Sequence, residues 1–69
     1  MSVSSIEDYG RYCSKYRLKY SVGYTIGEKS NPCVLVNGDS VFCEVDAYTT
    51  RAEEKVVHIA MALNAWDEG

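Results

Sequence analysis

Several residue types are scarce in this chain, and each scarcity excludes something. Histidine occurs once, at His58, and the three cysteines, Cys13, Cys33 and Cys43, show no CxxC spacing. Neither a zinc site nor a disulfide framework can be assembled from that set. The cysteines are expected to serve as small buried or half-buried hydrophobes in a reducing compartment. Long apolar runs are missing as well, so no segment approaches the roughly 20 residues of a membrane span. "MSVSSIEDYG" has neither the basic start nor the apolar centre of a signal peptide. These absences predict an intracellular protein, cytoplasmic or nuclear, with no membrane partner. There is one proline, Pro32, and no Pro/Gly/Ser-rich linker or low-complexity tract.

What is present fits one small folded domain spanning residues 1–69, with a core from about Ile6 to Trp66. A chain of this length buries only about 60% of its unfolded surface, which leaves roughly 5 kcal/mol of stability. Every large apolar residue is therefore expected in the core or at an interface. Charge is split between the halves. Residues 1–30 carry five bases and three acids, and residues 31–69 carry two bases and seven acids. The acidic half repels phosphates.

Ser4 and Ser5 stand three residues before Glu7 and Asp8, the spacing of a capping box. Ile6, Tyr9, Cys13 and Tyr16 then recur at helical intervals, which predicts a helix over 5–16 containing Gly10. From Leu18 the period falls to two, with Leu18, Tyr20, Val22, Tyr24 and Ile26 alternating with polar residues or glycine, so a strand follows. "GEKSNP", residues 27–32, is a loop, and its glycine spacing is not that of a phosphate-cradling loop.

"PCVLVNGDSVFCEVDAY" predicts a hairpin turning at Asn37-Gly38. A two-residue loop sets Val36 opposite Asp39 and Cys33 opposite Phe42. Val34, Val36, Val41, Cys43 and Val45 then share one face, and Cys33, Leu35, Phe42, Glu44, Asp46 and Tyr48 the other. A three-residue loop changes this pairing. Thr50 and Glu53 form a second capping box before Ala52, Val56, Ile59, Ala60, Leu63 and Trp66, which predicts a helix over 51–66. His58 lies between that stripe and solvent, and no serine or cysteine nucleophile motif accompanies it.

The predicted fold is α+β with the order α-β-β-β-α, a three-stranded antiparallel sheet with two helices packed on one face. In this order the chain resembles the double-stranded-RNA-binding domain. "VNG" at 36–38, Ala52 in "TTRAEE", "AM" at 60–61 and "YGRYCSKYRLKYSVGY" look like that family's landmarks at similar spacing. The resemblance implies duplex contact through the first helix, the 27–32 loop and the start of the second helix. The positions that it marks are Arg11, Tyr12, Lys15, Lys29, Arg51 and Lys55.

The chain departs from the family where phosphates are gripped. "YTTRAE" puts threonines at the family's lysine pair and Glu53 at a further lysine, and the Gly-Pro-x-His loop is missing from "IGEKSNPC". The leading expectation is therefore a non-catalytic module that binds a protein partner or a second copy of itself through the outer sheet face. Cys33, Leu35, Phe42, Glu44 and Tyr48 form that surface. The alternative is weak, shape-directed binding of duplex RNA. A second alternative is a small phage-type acidic inhibitor of a host nucleic-acid enzyme, presenting Asp39, Glu44, Asp46, Glu53, Glu54, Asp67 and Glu68. No acid-base pair, nucleophile with its base or ligand set supports an enzyme, a metal, a cofactor or a small-molecule substrate.

Overall fold

The computed structural model describes residues 5–68, so Ser4 of the first capping pair lies outside the described residues. The order is α1 (Ile6–Tyr16), β1 (Tyr20–Tyr24), β2 (Pro32–Val36), β3 (Ser40–Glu44) and α2 (Ala52–Glu68). The three strands form one antiparallel sheet in the order β1-β2-β3. This is the expected α-β-β-β-α topology.

Helix α1 begins after Ser5, whose extended backbone places it at the N-cap, but its hydroxyl makes no capping bond. The helix closes on Arg17 in the left-handed conformation (φ 52°), with Leu18 N–H donating to Cys13 C=O at 3.0 Å and Arg17 N–H to Ser14 C=O at 3.4 Å. That double bond pattern usually has glycine where Arg17 stands. It turns the chain sharply into β1 and buries part of Leu18 against the core.

β1 is shorter than the alternating pattern suggested, and Ile26 beyond it is fully exposed. β1 and β2 pair in unbroken register, from Tyr20 with Val36 to Tyr24 with Pro32. Opening the strand is the position at which a proline in a central strand costs least.

The β2–β3 turn corrects the expected two-residue loop. Val36 pairs with Ser40, so Asn37, Gly38 and Asp39 form a three-residue turn, with positive φ at Asn37 (55°) and Gly38 (92°). Leu35 pairs with Val41 and Val34 with Cys43, which leaves Phe42 as an extra residue in a β-bulge. The bulge switches faces: Val41 lies with Leu35 outside, whereas Cys43 returns to the core side with Val34.

The core consists of Ile6, Tyr9 and Cys13 from α1, Val22 and Val34 from the sheet, and Val56, Val57 and Ala60 from α2. Both helices cover the same sheet face. α1 packs on β1, and α2 packs on β1 and β2. The largest fully buried side chains are only valines and cysteines.

α2 does not turn as expected. Its buried residues are Ala52, Val56, Val57, Ala60 and Asn64, while Ile59 and Trp66 are exposed. It also begins without the Thr50–Glu53 box. Arg51 takes a left-handed conformation (φ 57°), and the Glu53 carboxylate accepts a hydrogen bond from the Tyr24 hydroxyl instead.

Candidate interaction surface

The polar interior is one cluster centred on Asn64. Its side-chain oxygen accepts from Tyr20 N–H at 3.0 Å, and its amide nitrogen donates to Tyr20 C=O and to the Tyr9 hydroxyl, each at 2.9 Å. Bonds at Lys19–Asn37 and Thr25–Asn31 bracket the β1–β2 ladder, so alternation turns the backbone groups of Tyr20, Val22 and Tyr24 away from β2. Asn64 therefore fills the place of a neighbouring strand at Tyr20. Gly10 of α1 packs over the Val22 carbonyl, where an added Cβ would sit 3.7 Å away. Burial raises the Tyr9 hydroxyl and the Cys13 thiol above their ordinary pKa values. These groups tie both helices to the sheet.

Tyr24 sits at the opposite end of β1, beside the start of α2. Its hydrogen bond to Glu53, reinforced by burial and the nearby charges of Glu53 and Glu7, pushes its pKa up to about 12. Glu54 lines the same depression and approaches Arg51 at 3.9 Å. The loops at this end are tied together: Asn31 accepts from Ala47 N–H at 3.0 Å, and the Lys29 ammonium lies 4.6 Å from the Tyr48 ring centre.

These placements locate the residues marked for RNA. Arg11 and Lys15 lie along α1 beside β1, facing an open groove that Glu7 shares. Tyr12 stacks on Tyr9 with ring centres 5.8 Å apart and meets Tyr16 at a tilt, 4.7 Å away. Lys29 rests on Tyr48, Arg51 approaches Glu54, and Lys55 is exposed one turn into α2. The start of α2 thus presents Glu53 and Glu54 among its bases.

The expected apolar patch on the outer sheet face does not assemble. Cys33 occupies that face but is 0% exposed. Gly23 opposite it leaves room for Leu35, whose Cδ1 would be 3.1 Å from a Cβ there. The Cys33 thiol is pushed above its ordinary pKa, first by burial and then by the neighbouring Glu44 and Cys43. Tyr48 is 81% exposed in the loop after the sheet, with Lys29. Phe42 leaves the outer face altogether. Its ring meets that of Tyr20 edge-on, with centres 5.5 Å apart, and Tyr20 shares the helix side of the sheet with Val22. Of the expected patch Leu35 and Glu44 remain on the outer face and accessible, and Val41 joins them there.

No family model, curated protein or solved structure matches this chain. The candidate surface therefore rests on geometry alone.

Such a surface lies on the other side of β3. On α2, Val57 and Asn64 turn toward α1 and β1, as the bonds of Asn64 to Tyr9 and Tyr20 show. Ile59, Leu63 and Trp66, spaced four and three apart, occupy the opposite flank of the buried stripe. That flank turns away from α1, whereas α2 itself packs on β1 and β2. On the same side β3 carries Phe42, which is 52% exposed, while Cys43 and, just after the strand, Val45 are half-buried against the core. Phe42 stands on Tyr20, level with Asn64 in the last turns of α2. The only tryptophan, 87% exposed, and the only phenylalanine thus both lie on the helix side of the sheet, and with Ile59 and Leu63 they make up the candidate apolar strip.

The sequence pattern puts Ile59, Leu63 and Trp66 on one stripe with Val56 and Ala60, whereas the structure leaves Ile59 and Trp66 exposed and Leu63 half-buried against the core. The signal was present in the breadth of the apolar arc of α2. Val56, Val57, Ile59, Ala60, Met61, Ala62, Leu63 and Trp66 are too many for one buried face of a short helix. Among the described residues no helix is long and apolar enough to cross a membrane, and no group of three or more His, Cys, Asp or Glu side chains is placed to hold a metal ion.

Proposed function

We propose that this protein is a non-catalytic docking module that recognises a protein through the apolar strip between β3 and α2. One observation carries the reading. In a domain too small to bury much, Trp66, Phe42 and Ile59 are spent on one exposed edge, while the fully buried positions go to valine, alanine and cysteine. Exposed apolar area of this kind is costly in water and marks a surface meant to be covered, and tryptophan and phenylalanine are typical anchors of such contacts.

The RNA reading has less behind it. Of the six residues that it names, Lys29 is committed to Tyr48 and Arg51 approaches Glu54, and Glu53 takes the place of a phosphate-gripping lysine. Arg11 and Lys15 share their groove with Glu7. Duplex affinity depends on the number of phosphates neutralised, and few free bases remain.

Two titrations test the proposal. The dye 8-anilinonaphthalene-1-sulfonate should bind the native protein at the strip, and Phe42→Asp should abolish that binding without changing the far-ultraviolet circular dichroism. An RNA duplex of about 20 base pairs should show no anisotropy change at physiological salt. Micromolar duplex binding with a steep salt slope, lost in Lys15→Glu, would replace this reading with the RNA one.

A further inference from the structure

Asparagine is a chemically labile side chain, and the fold treats the three asparagines of this chain very differently. Asn31 precedes Pro32, which has no N–H, and its side-chain oxygen accepts from Ala47 N–H at 3.0 Å. Asn64 is buried in α2 and bonded through both ends of its amide. Asn37 differs from both.

Asn37 lies in the exposed turn between β2 and β3 and is followed by Gly38. Its backbone is pinned, because its N–H donates to Lys19 C=O at 2.9 Å and its φ is 55°. Among the described residues neither its side-chain amide nor the N–H of Gly38 has a hydrogen-bond partner. The space around Gly38 is open as well, with nothing within 4 Å of where a Cβ would stand. The Gly38 nitrogen is therefore shielded by no side chain, hydrogen bond or packing.

We propose that Asn37 is a site of spontaneous deamidation in the folded protein. The Gly38 backbone nitrogen attacks Asn37 Cγ and forms an N–Cγ bond. The Cγ–Nδ2 bond breaks, and Nδ2 leaves as ammonia with the proton that Gly38 gives up, so a cyclic imide remains. Water then opens either ring C–N bond. Opening at Cγ leaves aspartate, whereas opening at the main-chain carbonyl leaves isoaspartate, whose backbone runs through the former side chain.

Both products carry one more negative charge than the parent's formal -3. That charge forms in a depression that Arg17 and Lys19 also line, with Asp39 nearby in the chain, so the bases outnumber the acid. The isoaspartyl link also adds a backbone atom to the turn that pairs Val36 with Ser40. Its strain falls on the β2–β3 hairpin and on the bulge at Phe42.

The test holds the intact protein for weeks in mildly alkaline buffer at physiological temperature. Anion exchange separates the products, and mass spectrometry after a brief digestion in mild acid locates them. A more acidic species should accumulate while circular dichroism stays that of the folded protein. The change of amide to acid should map to Asn37, in part as isoaspartate, and Asn31 and Asn64 should stay intact. Gly38→Ala sets a methyl group beside the attacking nitrogen and should slow the change about tenfold. Alanine strains the turn at φ 92°, so Asn37→Ser serves as a second variant, and it should abolish the acidic species.

Survival of Asn37 for as long as Asn31 and Asn64 would overturn the proposal. So would an acidic species that persists in Asn37→Ser. Conversion of Asn37 only in urea would overturn it too, because the native turn would then protect the amide.

Discussion

Asn64 is hydrogen bonded to both backbone groups of Tyr20, accepting from its N–H and donating to its C=O, and it also donates to the hydroxyl of Tyr9. One side chain of α2 therefore closes part of the free edge of β1 and ties both helices to the sheet. Asn64→Leu has a similar volume but leaves three partly or fully buried polar groups unpaired. It should destabilise by about 3 kcal/mol, more than half of what a domain of this size possesses. Urea unfolding measures the loss, and a cost below about 1 kcal/mol would show that the bonds are replaced by water.

Gly10 invites the opposite experiment. An added Cβ there meets the Val22 carbonyl at 3.7 Å and Val22 Cγ2 at 3.9 Å, both ordinary contacts. Gly10→Ala should therefore keep the helix–strand packing and gain helix propensity, stabilising the protein by about 0.5–1 kcal/mol in the same assay.

Arg17 and Arg51 hold left-handed backbone at φ 52° and 57°, one closing α1 and the other preceding α2. Arg17→Gly relieves the steric cost at a position where glycine is the usual residue, and it should raise stability by roughly 0.5–1 kcal/mol. Arg51→Gly acts in the same direction on the backbone but also removes the weak contact with Glu54. Its gain should be smaller. Thermal unfolding of the two variants side by side checks that order.

Tyr24 gives a pH signature. Its pKa is raised from 10.0 to about 12, chiefly by its hydrogen bond to Glu53. A group whose folded pKa is raised favours the fold below its unfolded pKa, and that contribution is lost as pH rises through the folded value. Stability should therefore fall between about pH 10 and 12, with Tyr9 and the thiols of Cys13 and Cys33, all raised, adding to the alkaline loss. Tyr24 is half exposed, so solvent screening keeps its share small. Tyr24→Phe should flatten the pH 10–12 limb of the stability curve, and an unchanged limb would contradict the assigned hydrogen bond.

Much of this architecture is legible in the residue pattern, for identifiable reasons. Ile6, Tyr9 and Cys13 keep a helical period, Tyr20 and Val22 a strand period, and Asn37-Gly38 supplies the positive φ that a tight turn needs. What escapes the pattern is long-range. Adding Asp39 to the turn shifts the pairing by one residue, which takes Phe42 to the helix side, and the bulge then returns Cys43 to a place opposite Val34. Nothing local distinguishes these from the simpler hairpin. The rotation of α2 escapes for a related reason. A polar residue at position 64 reads as outward until its amide is seen to satisfy the edge of β1, and once Asn64 turns in, Ile59 and Trp66 must turn out. The expected outer-face patch failed because Cys33 is fully buried and Phe42 turns to the helix side, and both depend on cross-strand neighbours.

The most direct test of the central claim is an amide chemical-shift map of the labelled protein, titrated separately with 8-anilinonaphthalene-1-sulfonate and with duplex RNA at about 0.15 M salt. The account predicts dye-dependent shifts confined to Val41–Val45 and Ile59–Asp67, and none with RNA. Shifts at Arg11, Lys15, Lys29 and Lys55 on adding RNA, with Phe42 and Trp66 silent toward the dye, would contradict it.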